Sequence, residues 1–219
     1  MKQPRICAVI TTSDLEVIRQ AEPLVDLFEV RIDLIGDDWQ AVVKGLNKPW
    51  IACNRSTVEG GQWQDNEERR IERLLQALEL GAAIVDIELK TKDLRNIIKL
   101  IKQRAECLLS YHDLEKTPDF DTIRQIIQQQ IEAGADICKV VTTARSFEDN
   151  ASVLQLVPAF PGKRVVAFAM GTAGITSRIF CPLVGGDFTY ASLAEGRESA
   201  PGQILVKDLK NIYEMIGSR

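Results

Sequence analysis

Apolar positions along this chain repeat with two different periods. Short runs rich in β-branched and apolar residues recur at 6–10, 27–33, 50–54, 84–89, 107–113, 137–141, 165–171 and 188–193. Their starts lie about 26 residues apart, which is room for a strand, a helix and two short loops. Between them the period becomes helical: Ile71, Leu74, Leu75 and Leu78 follow i, i+3, i+4, i+7, as do Leu94, Ile97, Ile98 and Ile101. Asp65 with Glu68 fits a capping box for the first of these helices, and Gly81 is placed to end it. Another helix carries Ile123, Ile126 and Ile127 and stops near Gly134, and the last carries Val206, Leu209, Ile212, Tyr213 and Ile216.

Strands alternating with helices require a parallel sheet. Eight such units in this length fit a closed α/β fold, the (β/α)₈ TIM barrel, better than an open doubly wound sheet of about five to seven strands. No linker, low-complexity tract or shift in composition interrupts the pattern, so residues 1–219 are expected to form a single (β/α)₈ barrel catalytic domain. Long connections are expected at 56–66 and 194–202.

Composition narrows the function. With 45% apolar and 26% charged residues the chain is of ordinary globular make-up, which sets aside disordered and collagen-like classes. A net charge of -4, with lysines and arginines scattered, offers no footprint for nucleic acid or a membrane surface and points to a small-molecule partner. The longest N-terminal apolar run, at 6–10, is too short for a signal peptide or a membrane span, so a cytoplasmic location is expected. Five cysteines without a C-x-x-C, four of them in apolar runs, are expected to be reduced and buried. A single histidine excludes metal sites built from several, and neither a metal nor a cofactor is expected.

Alternation in Phe28-Glu29-Val30-Arg31-Ile32-Asp33 puts Glu29, Arg31 and Asp33 on one face. A barrel strand has no wet face, so these groups are enclosed whichever way they point, and each must pair internally or with a ligand. An internal salt-bridge cluster would explain one strand. Other strands share the habit near their C-terminal ends: Arg55, Asp86 and Glu88, His112, Lys139 and, after strand seven, Arg178. That end of a barrel is where active sites lie.

Lys139 sits between apolar neighbours in Ile137-Cys138-Lys139-Val140-Val141, where desolvation and nearby arginines would lower its pKa and make it a nucleophile; a merely paired lysine is the alternative. His112 precedes it by one strand-helix unit, so both side chains should emerge at one mouth, where the imidazole can move protons. Gly60 and Gly61 are expected to shape a loop at that mouth, whereas Gly185-Gly186-Asp187 lies at the opposite end and reads as a turn.

The motifs Glu29-Val30-Arg31-Ile32-Asp33, Arg55-Ser56-Thr57-Val58-Glu59-Gly60-Gly61, Ser110-Tyr111-His112-Asp113, Cys138-Lys139-Val140, Ala169-Met170-Gly171 through Ser177-Arg178, and Ser199-Ala200-Pro201-Gly202-Gln203 resemble, in this order, type I 3-dehydroquinate dehydratases. The resemblance runs from the second strand to the last helix. It implies a shikimate-pathway lyase acting on 3-dehydroquinate, with Lys139 forming an imine, His112 as general acid and base, and Glu59 orienting or tuning His112. It further implies that Glu29, Arg31 and Arg55 hold ring hydroxyls, that Arg178 takes the carboxylate, that Ser199 and Gln203 close over the substrate, and that the chain forms a homodimer.

Independently of the resemblance, a protonated imine is an electron sink that makes a carbanion next to the former ketone accessible, and one histidine working on one ring face leads to syn elimination. Three other readings compete. A class I Schiff-base aldolase would share the barrel and the lysine but usually a phosphate site that is not evident after strands seven and eight. A magnesium enzyme using Asp33, Asp86 and Glu88 leaves Lys139 unexplained. A non-catalytic barrel binding an anionic metabolite predicts no turnover.

Overall fold

The computed structural model describes residues 3–217. Its strands are β1 (Ile6–Ile10), β2 (Leu27–Arg31), β3 (Trp50–Cys53), β4 (Ile84–Glu88), β5 (Glu106–His112), β6 (Ile137–Thr143), β7 (Arg164–Met170), β8 (Thr189–Ser192) and β9 (Ile204–Leu205). The helices between and after them are α1 (Leu15–Ala21), α2 (Ile32–Ile35), α3 (Trp39–Val43), α4 (Glu67–Glu79), α5 (Leu94–Ile101), α6 (Phe120–Ala133), α7 (Asp149–Leu154), α8 (Leu156–Ala159), α9 (Ile175–Phe180) and α10 (Val206–Gly217).

All strands are parallel and form one sheet in the order β7-β6-β5-β4-β3-β2-β1-β8-β9. The sheet curls into the (β/α)₈ form. Its seam lies between β7 and β8, where no ladder forms; instead Asp187 N–H donates to Val165 O (2.9 Å) and the Phe168 and Tyr190 rings meet edge on with centroids 5.8 Å apart. The ninth strand was not foreseen. It pairs Ile204 and Leu205 with Ala191 and Ser192 on the edge of β8 that faces the seam.

Alternation along the strands separates two cores. Outward residues such as Phe28, Val30, Ala52, Val85 and Ile87 pack against Trp39, Leu74, Ile97, Ile98 and Leu209 of the helices. Inward residues Cys7, Leu27, Ile51, Ile84, Leu108, Ile137 and Phe188 form a dry floor inside the barrel. Each such large aliphatic or aromatic side chain contributes roughly 1.5–3 kcal/mol on burial. Two residues further along the strands, about 6.6 Å toward the C-terminal end, the inward positions become Glu29, Asp86, Ser110 and Lys139, all buried. The charged face of β2 therefore points inward, supported from below by an apolar layer.

Local details depart from the sequence reading in three places. The cap of α4 is Asn66, whose side chain accepts from Arg69 N–H, and Asp65 instead pairs with the Arg69 guanidinium (2.6 Å). The inner face of α4 buries Arg70 beside Leu74, Ala77 and Leu78, while Ile71 and Leu75 pack half-buried against the same core. β2 ends at Arg31, so Asp33 belongs to a helical turn and not to the strand. Gly185 and Gly186 do form a turn, one in which a Cβ at Gly186 would meet Cys181 Sγ at 2.5 Å. All five cysteines are free and buried. No helix among the described residues is long and apolar enough to cross a membrane.

Candidate active site

A cavity of about 350 Å³ opens at the C-terminal mouth, lined by Glu29, Arg31, Arg55, Glu59, His112, Lys139, Arg178, Ser199 and Gln203 among others. Every site residue expected from the sequence thus meets in one place.

Lys139 lies at the level of Ser110 on β5 and Val166 on β7, while His112 stands two residues higher, opposite Val141. The Lys139 Nζ donates to Asp86 (2.9 Å) and Glu29 (3.3 Å) and sits 4.3 Å from the centre of the Tyr190 ring. Burial alone would lower its pKa, but the Asp86 and Glu29 carboxylates outweigh burial and hold it above the ordinary lysine value. This corrects the expectation of a depressed pKa: the carboxylates, not the arginines, dominate. The resting amine is an ammonium ion.

Arg55 completes the polar layer. Its guanidinium reaches Asp86 (2.8 Å), Glu88 (3.2 Å) and Ser110 Oγ (2.6 Å), and Ser110 in turn donates to Asp86 (2.6 Å). The flanking arginine and lysine keep Asp86 ionised well below the usual carboxylate range, against a burial penalty that by itself acts the other way. Arg31 is held by a two-pronged pair with Asp33 (2.9 and 2.6 Å), and Asp33 also accepts from the backbone of Arg55 and Gln62.

Glu59 is delivered by a tight turn after β3. Residues Thr57–Glu59 make one 3₁₀ turn, Gly60 follows with φ +82°, and Gly61 N–H returns to Ser56 O (2.8 Å). A Cβ on Gly61 would lie 1.9 Å from Arg55 O, so the turn closes only with glycine there. The Glu59 carboxylate accepts from His112 backbone N–H (3.1 Å) and lies 2.9 Å from ring Nδ1. Burial raises Glu59 to about 7 despite the opposing pull of Arg55. Burial, with Arg55 and Lys139 nearby, pushes the His112 pKa well below its ordinary value, so the ring is neutral. With Glu59 ionised, Nδ1 carries the hydrogen and Nε2 keeps its lone pair.

Arg178 differs from the other buried cations. It is 1% exposed, its Nε has no partner, and its contacts are a long bond to Pro201 O (3.4 Å) and the face of Phe168 (4.4 Å). Desolvation alone lowers its pKa to about 10. A guanidinium so placed calls for an anion. Beside it, Gln203 Oε1 accepts from Ser199 N–H (2.8 Å).

The carboxylates of the magnesium reading do not converge: Asp33 serves Arg31, and Glu88 serves Arg55, Arg70 and Ser56 N–H. Glu29, Cys53 and Asp86 do bring ligand atoms within 4.8 Å of one another, but Lys139 and Arg55 already bond into that group. The donor set does not fit a cation. Sequence reasoning assigned no role to Tyr190, Phe168 or Thr143, which also line the cavity. Their inward register was the available signal, but apolar and hydroxyl side chains there look the same whether they fill a core or face a substrate.

A parallel barrel with an enclosed amine, a neutral imidazole and a vacant guanidinium at its C-terminal mouth defines a barrel enzyme for an anionic carbonyl substrate. A family model described as Type I 3-dehydroquinase matches residues 6–219, and the chain belongs to that family. It is 42% identical over 217 residues to a 3-dehydroquinate dehydratase of Dehalococcoides mccartyi, covering 99% of this chain and 97% of that protein. It is 33% identical to one from Methanocaldococcus jannaschii, covering 96% and 98%. The crystal structure of 3-dehydroquinate dehydratase from Geobacillus kaustophilus superposes with a TM-score of 0.87 at 28% identity, covering 100% of this chain and 93% of that one.

Proposed function

We propose that this chain dehydrates 3-dehydroquinate to 3-dehydroshikimate in the shikimate pathway, by syn elimination through an imine on Lys139. The observation that carries the proposal is one cavity holding Lys139, the neutral His112 and the vacant Arg178 together.

Substrate binds with its carboxylate on Arg178, and Glu29, Arg31 and Arg55 take ring hydroxyls. The Lys139 ammonium must first lose a proton. Asp86 and the imidazole are both weak bases in the resting cavity, so the transfer waits for bound substrate to part Nζ from its carboxylates, after which the free Nε2 of His112 takes the proton. The amine adds to the ketone carbon, and the carbinolamine oxygen leaves as water with the proton that His112 gives back, leaving a protonated imine and a neutral imidazole. His112 then removes a proton from the adjacent carbon, and the electron pair moves into the imine as an enamine. The enamine expels the β-hydroxyl, which collects that proton from the same imidazole and departs as water. Hydrolysis of the conjugated imine returns Lys139 and releases the enone. Glu59 holds Nδ1–H throughout and stabilises the imidazolium formed in between. Ser199 and Gln203 close over the substrate. The protein works in the cytoplasm as a homodimer.

Purified protein given 3-dehydroquinate should generate the ultraviolet absorbance of a conjugated enone. Saturable binding without that absorbance would leave only the non-catalytic binding reading, and carbon-carbon cleavage products would favour the aldolase.

A further inference from the structure

Arg70 is unusual for a helix residue: it is 1% exposed and all five of its N–H donors are engaged. Two bonds go to Glu67 one turn back (2.7 and 2.8 Å) and one to Thr91 Oγ1 (3.2 Å). The remaining Nη1 donates both to Asn54 O (2.8 Å) and to Glu88 (2.7 Å). Glu88 passes this anchor on, because its other oxygen accepts from Ser56 N–H (3.0 Å) and pairs with Arg55 (3.2 Å). Asn54 returns the contact by donating from its amide to Arg70 O (3.3 Å). One guanidinium outside the barrel wall therefore fixes the backbone on both sides of Arg55. Ser56 begins the turn that ends in Glu59.

We propose that Arg70 is a positioning residue for the dehydration: by clamping Asn54 and Glu88 it sets the direction of Arg55 and the placement of Glu59 against His112. The inference rests on the function proposed above for its catalytic consequence, but its geometric part can be read separately. A helix-to-barrel brace could be made from apolar side chains at lower desolvation cost. A five-donor fork instead fixes orientation, which a point charge such as lysine does not.

The chain has one histidine, so its ring signal in NMR reports this site without ambiguity. The groups acting on that ring are Glu59 from the turn, Arg55 after β3, Lys139 on β6, Asp86 on β4 and Arg31 on β2. Arg70 touches none of the cavity. Arg70→Lys keeps the charge and loses the fork, and Glu67→Gln weakens the fork from the solvent side. In Arg70→Lys the ring titration should move by about half a pH unit or more, and kcat should fall about tenfold to a hundredfold with KM changing less, the scale of a misplacement near 1 Å. Thermal unfolding checks that the variant is folded at the assay temperature. Should it not fold, Glu67→Gln carries the test, with a smaller change of the same kind.

A folded variant with the wild-type ring titration and kcat within about twofold of wild type would overturn the proposal, as would an unchanged titration in Glu67→Gln if that is the folded variant. A moved titration in the variant, with a wild-type protein that forms no adduct on Lys139, would instead leave the positioning intact and refute the imine.

Discussion

Between His112 and Glu59 the position of a single proton decides whether the ring can act as a base. Ionised Glu59 accepts Nδ1–H and leaves the Nε2 lone pair toward the cavity; protonated Glu59 would donate to Nδ1 and reverse the tautomer. Because burial raises Glu59 to about 7, kcat/KM should climb as pH rises through that value. Glu59→Gln cannot ionise, so its profile should lose this limb and its plateau should drop. A limb unchanged near 7 in the variant would assign it to another group. His112→Ala should lower turnover by about 10²–10⁴, while the substrate still forms an adduct with Lys139, more slowly because water then has to take the ammonium proton. Near wild-type turnover in that variant would remove His112 from its role. Arg178→Gln replaces a charge-assisted contact worth about 1.5–3 kcal/mol, so KM should rise roughly tenfold to a hundredfold with little change in kcat. Steady-state kinetics read the split, and an unmoved KM would place the carboxylate elsewhere.

Two loops carry the site, and their glycines mark where sequence was informative. Gly60 and Gly61 were readable as a mouth loop, but the close approach of Gly61 to Arg55 O was not, because it arises from chain reversal and not from composition. Gly61→Ala should force the turn open, costing about 1–3 kcal/mol of stability and separating Glu59 from His112. Chemical denaturation and the His112 ring signal measure both, and a variant with unchanged stability would show that the turn yields freely. Segment 194–203 contains Gly196, Ser199, Ala200 and Gly202, small residues suited to a lid. Its far end is pinned, since Pro201 O accepts from Gly171 N–H (3.1 Å) and Arg178. Movement is therefore expected before Pro201. Saturating ligand should slow hydrogen exchange at 194–200, and Gln203→Ala should weaken substrate capture; unchanged exchange together with unaltered kcat/KM would reduce the segment to a connection. Helix ends that depend on one φ angle, Gly81 at +86° and Gly134 at +103°, were legible. The cap at Asn66 was not, since Asp65 and Asn66 are equally good cap chemistry and only the local bend selects between them.

At the scale of the whole molecule, eight strands at nearly even spacing made the barrel legible, and its charged interior followed from one question: where Glu29, Arg31 and Lys139 could go. The extra strand β9 was not legible, because two residues show no period. Nor was the sign of the Lys139 shift, which depends on Asp86 and Glu29 arriving from β4 and β2 at distances only the closed barrel sets. That resting ammonium is no obstacle to imine formation if bound substrate lets His112 take its proton, and it also fills the place a cation would need. Chelators should therefore leave turnover unchanged, and a loss reversed by magnesium would contradict the donor-set argument. The central claim is covalent attachment at Lys139, and the most direct measurement is borohydride reduction during turnover followed by peptide mapping. The account predicts irreversible inactivation and a reduced substrate adduct on Lys139 alone. An adduct on another lysine, or full activity surviving borohydride with no adduct anywhere, would contradict it.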